Sequence, residues 1–193
     1  MAGVEIILAS ASPRRRQLLA ELSVSFEVVT ADVPELDSIS SPHLNPMELA
    51  RENARRKATA VAKLRLGRWV LGADTVVAME GRLFGKPASI EEAREFLRAL
   101  SARAHEVITG CALVDSEGKE EIFHEVSKVV FHKLSDELIG QYLAEVNVLD
   151  KAGAYALQER GEWIVEQVEG SRSNVIGLPI ELLGKVFKKH GLL

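Results

Sequence analysis

Apolar and polar positions alternate with two different periods along this chain, and the switches between them divide it into elements. Glu5 to Ala9 is a short, almost wholly apolar run, predicting a buried strand. Pro13 to Leu22 changes to helical spacing, with Leu18, Leu19 and Leu22 on one face. Ser25 to Thr30 alternates as a strand, and Asp32 to Pro46, rich in Ser, Pro and Asp, is predicted as a surface loop. Asn45-Pro46-Met47-Glu48 carries cap, first-turn proline and returning glutamate, predicting a helix to about Leu66. Trp69 to Met79 is predicted as a strand interrupted at Gly72-Ala73-Asp74, then a turn at Glu80-Gly81 into Arg82–Phe84. Ser89-Ile90-Glu91-Glu92 has the capping-box spacing and opens a helix to Leu100 with Ala93, Phe96, Leu97 and Leu100 inward. His105–Asp115 and Glu121–Phe131 are predicted as a hairpin through Ser116-Glu117-Gly118, followed by a helix capped at Ser135 and running through Glu145. Ala154–Leu157 and Glu162–Val168 are predicted as short strands joined at Gly161, and Pro179 opens a last helix ending before Gly191. Helices alternate with strands but hairpins intervene, so the expected class is α/β with a mixed twisted sheet flanked by helices.

Composition narrows the partners. A length of 193 residues suits one domain, 1–193, with a sizeable core, and 47% hydrophobic with 27% charged residues is globular. A net charge of −4 argues against wholesale binding of nucleic acid or an anionic membrane. The lone cysteine, Cys111, lies in the apolar run Val107–Val114 and reads as core packing; it leaves no internal disulfide to form. No stretch resembles a signal peptide or approaches the ~20 apolar residues of a membrane span. An intracellular, cytoplasmic protein is the expectation.

Against that acidic background, Ser10-Ala11-Ser12-Pro13-Arg14-Arg15-Arg16 stands out at a strand-to-helix junction. Small residues admit a ligand to the backbone, a helix start offers unpaired N–H groups, and arginine forks suit phosphate. The same residues also make an ordinary N-cap and a solvated first turn. Asp74 interrupts an apolar run, where a carboxylate is costly unless paired or metal-bound, and Gly72 is expected to leave room beside it for a ligand; a strand-end carboxylate accepting backbone N–H groups is the alternative. Lys57 breaks the stripe Ala50, Ala54, Lys57, Val61, Leu64, either as a snorkelling side chain or as a point charge for phosphate. Gly85-Lys86-Pro87 is a tight turn without Walker A spacing, and Gly170-Ser171, Asn174 and Gly177-Leu178-Pro179 form a second small-residue turn. The histidines lack zinc-pair spacing, whereas oxygen ligands near Asp74, Asp32 and Glu35 suit a hard ion such as magnesium or manganese.

Taken in order, SASPRRRQLL, GADTVV, GKP, the Thr109-Gly110 pair, DKAGAYALQ and NVIGLP resemble the Maf family of septum-formation-associated nucleotide pyrophosphatases, from Leu8 to Pro179. The resemblance implies two lobes with a central cleft, akin to the inosine-triphosphate pyrophosphatase-like (Maf/Ham1) fold. It also implies hydrolysis of a nucleoside triphosphate to monophosphate and pyrophosphate, with a divalent metal cofactor (Mg or Mn) and a homodimer. By position, Asp74 matches the catalytic aspartate, with Lys86 and Glu35 in the catalytic set. Ser10, Arg15, Lys57 and Lys86 match phosphate contacts, and Asp74 and Glu35 the metal positions. Loop length leaves Asp32 or Asp37 as substitutes for Glu35. Arg14, Thr75 and Gln158 look like the substrate-specificity positions of the dTTP/UTP branch, as against a 7-methyl-GTP branch; Glu159-Arg160 departs from the usual glycine after Gln158. A glutamine amide offers both donor and acceptor to a pyrimidine edge. The expectation of another class is a nucleotide-binding regulator of septum formation without turnover.

Overall fold

The computed structural model describes residues 5–30 and 32–193. A seven-stranded sheet runs in the order β2-β1-β3-β5-β6-β7, with β4 on β3. Its strands are β1 (Ile6–Ala9), β2 (Phe26–Val28), β3 (Trp69–Met79), β4 (Arg82–Phe84), β5 (Ala104–Val114), β6 (Glu120–Phe131) and β7 (Val165–Glu169). β1 runs parallel to β2 and β3 while every other pairing is antiparallel, so the sheet is mixed as expected. The helices are α1 (Pro13–Glu21), α2 (Pro46–Leu64), α3 (Ile90–Leu100), α4 (Asp136–Glu145), α5 (Gly161–Ile164), α6 (Arg172–Ile176) and α7 (Ile180–Lys189). Among the described residues no helix is long and apolar enough to cross a membrane.

The caps read from sequence hold the helices in place. Ser12 accepts from the Arg15 N–H, and Asn45 and Glu48 complete a reciprocal capping box. At α3 only half the box forms, because Glu92 turns back to the Ala88 N–H rather than to Ser89.

Strand alternation then sorts the core. Ile6, Leu8, Leu71, Ala73, Cys111 and Leu113 pack against α1 and α7 through Leu18, Leu19, Leu183 and Phe187. Ile7, Ala9, Val70, Ala112 and Val114 face α2 through Ala54, Ala58 and Val61. Beyond the middle of the sheet a third cluster forms, with Val77, Met79, Val107 and Phe131 against α3 and α4. Cys111 belongs to this interior; burial pushes its thiol up to about 12, which leaves it unreactive.

Four expectations are corrected. β3 is continuous through Gly72-Ala73-Asp74, since these residues pair with Ala112, Cys111 and Gly110 of β5. The room at Gly72 is filled by protein: a Cβ there would lie 2.3 Å from the Ala54 carbonyl oxygen of α2. Ala154–Leu157 is no strand. Gly153, at φ 71°, turns the chain through a 3₁₀ turn at Ala152–Ala154, and the Ala156 N–H donates to the Tyr142 hydroxyl in place of a ladder partner. Likewise Gly161–Ile164 is a helical turn, and the strand starts only at Val165.

His105, 2% exposed, stacks edge-on with Phe131 and Tyr155, and its Nε2 meets the Tyr155 hydroxyl at 2.9 Å. Burial pulls its pKa from 6.5 down to about 4. Between those values the unfolded chain binds a proton that the folded chain refuses. The stability present above pH 6.5 is therefore lost as pH falls toward 4, by about 3 kcal/mol. Urea unfolding across this window should show that slope in the wild type and a shallower one in His105→Phe; equal slopes would contradict it.

Candidate active site

The sheet leaves one stretch of β3 without a neighbour on one edge. β1 accompanies it as far as Gly72, and β4 joins only at Val77. Where the two strands part, a cavity of about 810 Å³ opens. Ser10, Arg14, Arg15, Glu35, Lys57, Asp74, Thr75, Lys86 and Gln158 all line it, so the structure brings every site residue expected from sequence to one place. Asp32 and Asp37 line it too, but Asp37 accepts from the Ile39 and Ser40 N–H groups as a turn former, while Glu35 reaches the lysines.

Small residues make this assembly possible. Gly72 and Gly110 lie under α2, and a Cβ on Gly110 would sit 2.4 Å from the Ala50 carbonyl. With Ala50, Ala54 and Ala58 fully buried on the facing side, helix and sheet approach more closely than larger residues would allow. That contact carries Asn53 and Lys57 to Asp74, which is 7% exposed. Lys57 Nζ donates to Asp74 Oδ1 and to Glu35 Oε1, at 2.6 Å each. Lys57 therefore neither snorkels nor packs as part of an apolar stripe, and Leu64, at the end of the expected stripe, is exposed.

Glu35 also accepts from Lys86 Nζ at 3.0 Å. Burial raises the Glu35 carboxyl, but hydrogen bonds and charge from Lys57 and Lys86 outweigh it and hold it at about 2. One exposed carboxylate thus ties a lysine of α2 to a lysine of the turn after β4, across the cleft.

On the opposite face of β3 stands the Arg15 guanidinium. It donates from Nε to the Gly177 carbonyl at 2.8 Å, and through its terminal nitrogens to Ser10 Oγ at 3.3 Å and Thr75 Oγ1 at 3.0 Å. Burial lowers its pKa, opposed by the charge of Asp74. Its hydrogen-bond partners are neutral oxygens, which leaves its charge available to an anion in the cavity. Gly177, at φ 128°, turns its carbonyl toward Arg15, so the second small-residue turn serves the first.

At the rim, Arg14 pairs with Asp150 at 3.5 Å, and Gln158 is exposed. Lys151, 5% exposed, holds Asp150 and Glu159 at 2.9 and 3.3 Å, and so ties the exposed Glu159, the residue after Gln158, to Asp150 at the rim.

Sequence reasoning missed Asn53. Its amide donates to Asp74 Oδ2 at 3.2 Å and to the Leu36 carbonyl, and its oxygen accepts from the Leu36 N–H. It fixes the Glu35 loop and the Asp74 carboxylate together. An asparagine in mid-helix, one turn before Lys57, was the available signal, because asparagine is a poor helix former unless its side chain has work elsewhere.

For a divalent ion, the donors are the hard oxygens of Asp74 and Glu35. Among the described residues no cluster of three or more His, Cys, Asp or Glu side chains forms a full protein cage. Magnesium commonly takes only one or two carboxylates and completes its shell with phosphate oxygens and water, so this pair fits it.

The chain is similar to known proteins over nearly its whole length. A dTTP/UTP pyrophosphatase of Geobacter sulfurreducens is 47% identical over 176 residues, 91% of each chain. Another, of Pelotomaculum thermopropionicum, is 43% identical over 188 residues, 97% of each chain. Among solved structures, the Ham1 protein of Staphylococcus aureus matches with a TM-score of 0.54 at 17% identity, covering 96% of this chain and 99% of that one. A HAM1 protein from Coxiella burnetii matches with a TM-score of 0.54 at 19% identity over the same shares, and these likenesses bear on fold alone. The sequence model of the Maf-like protein family spans residues 5–190, nearly the whole described chain, and the chain belongs to that family.

Proposed function

We propose that this chain hydrolyses dTTP and UTP to the monophosphate and pyrophosphate in the cleft beside β3. The observation that carries the reading is the convergence of Arg15, Lys57 and Lys86 with the carboxylates Asp74 and Glu35 on one cavity. The near full-length similarity to proteins named dTTP/UTP pyrophosphatase supports the substrate class.

In this reading Ser10, Arg15, Lys57 and Lys86 hold the triphosphate. The charge growing on the departing pyrophosphate meets fixed cations rather than reorganising water. Asp74, anchored by Asn53 and Lys57, orients water for attack at the α-phosphorus and takes its proton. No covalent nucleophile is required, because such chemistry rests on positioning and electrostatics. Asp74 and Glu35 would hold a magnesium or manganese ion, which supplies charge neutralisation at phosphate oxygens. When substrate enters, Lys57 and Lys86 exchange the Glu35 carboxylate for phosphate oxygens. Arg14, Thr75 and Gln158 face the base.

A single Maf-like domain over 1–193, a cytoplasmic homodimer and the absence of nucleic-acid or membrane partners belong to the same proposal; family resemblance supports them.

The test is pyrophosphate release from a panel including dTTP, UTP, CTP and 7-methyl-GTP, with magnesium, manganese or chelator. Metal-dependent release from dTTP and UTP is expected. Release from 7-methyl-GTP instead would keep the enzyme and overturn the pyrimidine assignment, and nucleotide binding without any release would favour the regulator reading.

A further inference from the structure

We propose that Thr109, a buried residue beneath the cleft, fixes Thr75 as a hydrogen-bond acceptor and thereby makes the site select a base with an imide N–H, uracil or thymine, over cytosine. The inference rests on the pyrimidine nucleotide reading above and gives it an atomic basis.

The β3–β5 register sets Thr75 opposite Thr109. Both fall on the strand face where the apolar sequence is Leu71, Ala73, Val77 and Met79 on β3, and Val107, Cys111 and Leu113 on β5. The two threonines are the polar break in that stripe, between the cluster under α1 and α7 and the cluster under α3 and α4. Their hydroxyl oxygens lie 2.9 Å apart.

The direction of that bond follows from counting protons. A threonine hydroxyl has one hydrogen and two lone pairs. Thr109, 0% exposed, donates its hydrogen to the Asn174 carbonyl at 3.0 Å. That carbonyl is held in place, because the Asn174 side chain, also 0% exposed, donates to the Val107 carbonyl and to Ser127 Oγ at 2.9 Å each. Toward Thr75, therefore, Thr109 presents only lone pairs, and Thr75 must be the donor. From the other side Arg15 donates to Thr75 Oγ1 at 3.0 Å, and a guanidinium can only donate. The Thr75 proton and one lone pair are thus committed, and what remains for the cavity it lines is a single lone pair.

An acceptor in this position matches the N3–H of uracil or thymine. At the same place cytosine carries a lone pair, so two acceptors would face each other with no proton between them. Leaving a buried polar group unpaired in this way lowers affinity by about tenfold or more.

The experiment compares kcat/KM for UTP and CTP in wild type, Thr109→Val and Thr109→Ser. Valine keeps the shape of threonine but frees the Thr75 proton to turn into the cleft, whereas serine keeps the relay. The wild type is expected to prefer UTP at least about tenfold. Thr109→Val should lose most of that ratio, and Thr109→Ser should retain it. A merely structural role would lower both substrates alike and leave the ratio unchanged; that result, or a wild type that does not discriminate, overturns the inference while the proposed activity stands. A wild type that turns over neither substrate overturns both. If Thr109→Val does not fold, Thr75→Val removes the acceptor directly at a partly exposed position. The ratio must then collapse, and its retention overturns the inference.

Discussion

Replacing Asp74 with asparagine should lower kcat by about 10² or more and leave the protein folded. The amide is nearly isosteric and keeps one oxygen for Lys57, which sits 2.6 Å from Oδ1. What it loses is the basic oxygen and the full negative charge. In place of the oxygen that now accepts from Asn53, it sets an NH₂ against another NH₂, a local cost of about 1–3 kcal/mol. The two effects separate by measurement. Thermal unfolding reads the second, while single-turnover rates at saturating dTTP read the first. Triphosphate binding should survive, since Arg15, Lys57 and Lys86 are untouched. Near-normal turnover in a folded Asp74→Asn chain would remove Asp74 from the chemistry.

Gly110→Ala should lower Tm by about 10 °C and lower turnover with it. The added methyl would lie 2.4 Å from the Ala50 carbonyl and 2.5 Å from the Arg51 nitrogen, all backbone of α2. No side chain can swing aside, so the helix must lift from β5. Overpacking of this kind costs about 3 kcal/mol, and in a chain of this size each kcal/mol is worth about 2–4 °C. Lifting α2 also draws Asn53 and Lys57 from Asp74, so activity should fall even at temperatures where the variant is folded. A Tm within about 2 °C of wild type would show that helix and sheet are not seated through this glycine.

The same contact shows what the sequence could and could not tell. Caps, strand alternation and the hairpin between β5 and β6 are local, and they were legible because each depends on neighbours in the chain. Gly72 was read as space for a ligand because a glycine beside a carboxylate has that meaning in isolation. Only the register of α2 over the sheet shows the space to be filled. The segment around Gly153 alternates like a strand, yet its partners are the Tyr142 hydroxyl and the Gly85 carbonyl, side-chain and turn groups that no periodicity reveals. The strand order could not be read either, since β1 lies between β2 and β3 through crossovers that depend on which faces α1 and α2 cover.

For the site, residues whose type is costly where they stand were visible: an aspartate in an apolar strand, a lysine in a stripe, arginines at a helix start. Asn53, Lys151 and Thr109 were not, because each acts on another side chain rather than standing out by itself. Thr109 looks like any β-branched strand residue until its proton is traced to the Asn174 carbonyl.

The central claim, water attack at the α-phosphorus within this cleft, is tested most directly by hydrolysing dTTP in water enriched in heavy oxygen and weighing the products. The expected result is one heavy oxygen in the nucleoside monophosphate and none in the pyrophosphate. Label in the pyrophosphate would mean attack at the β-phosphorus, and would contradict the roles assigned to Asp74 and the cations around it.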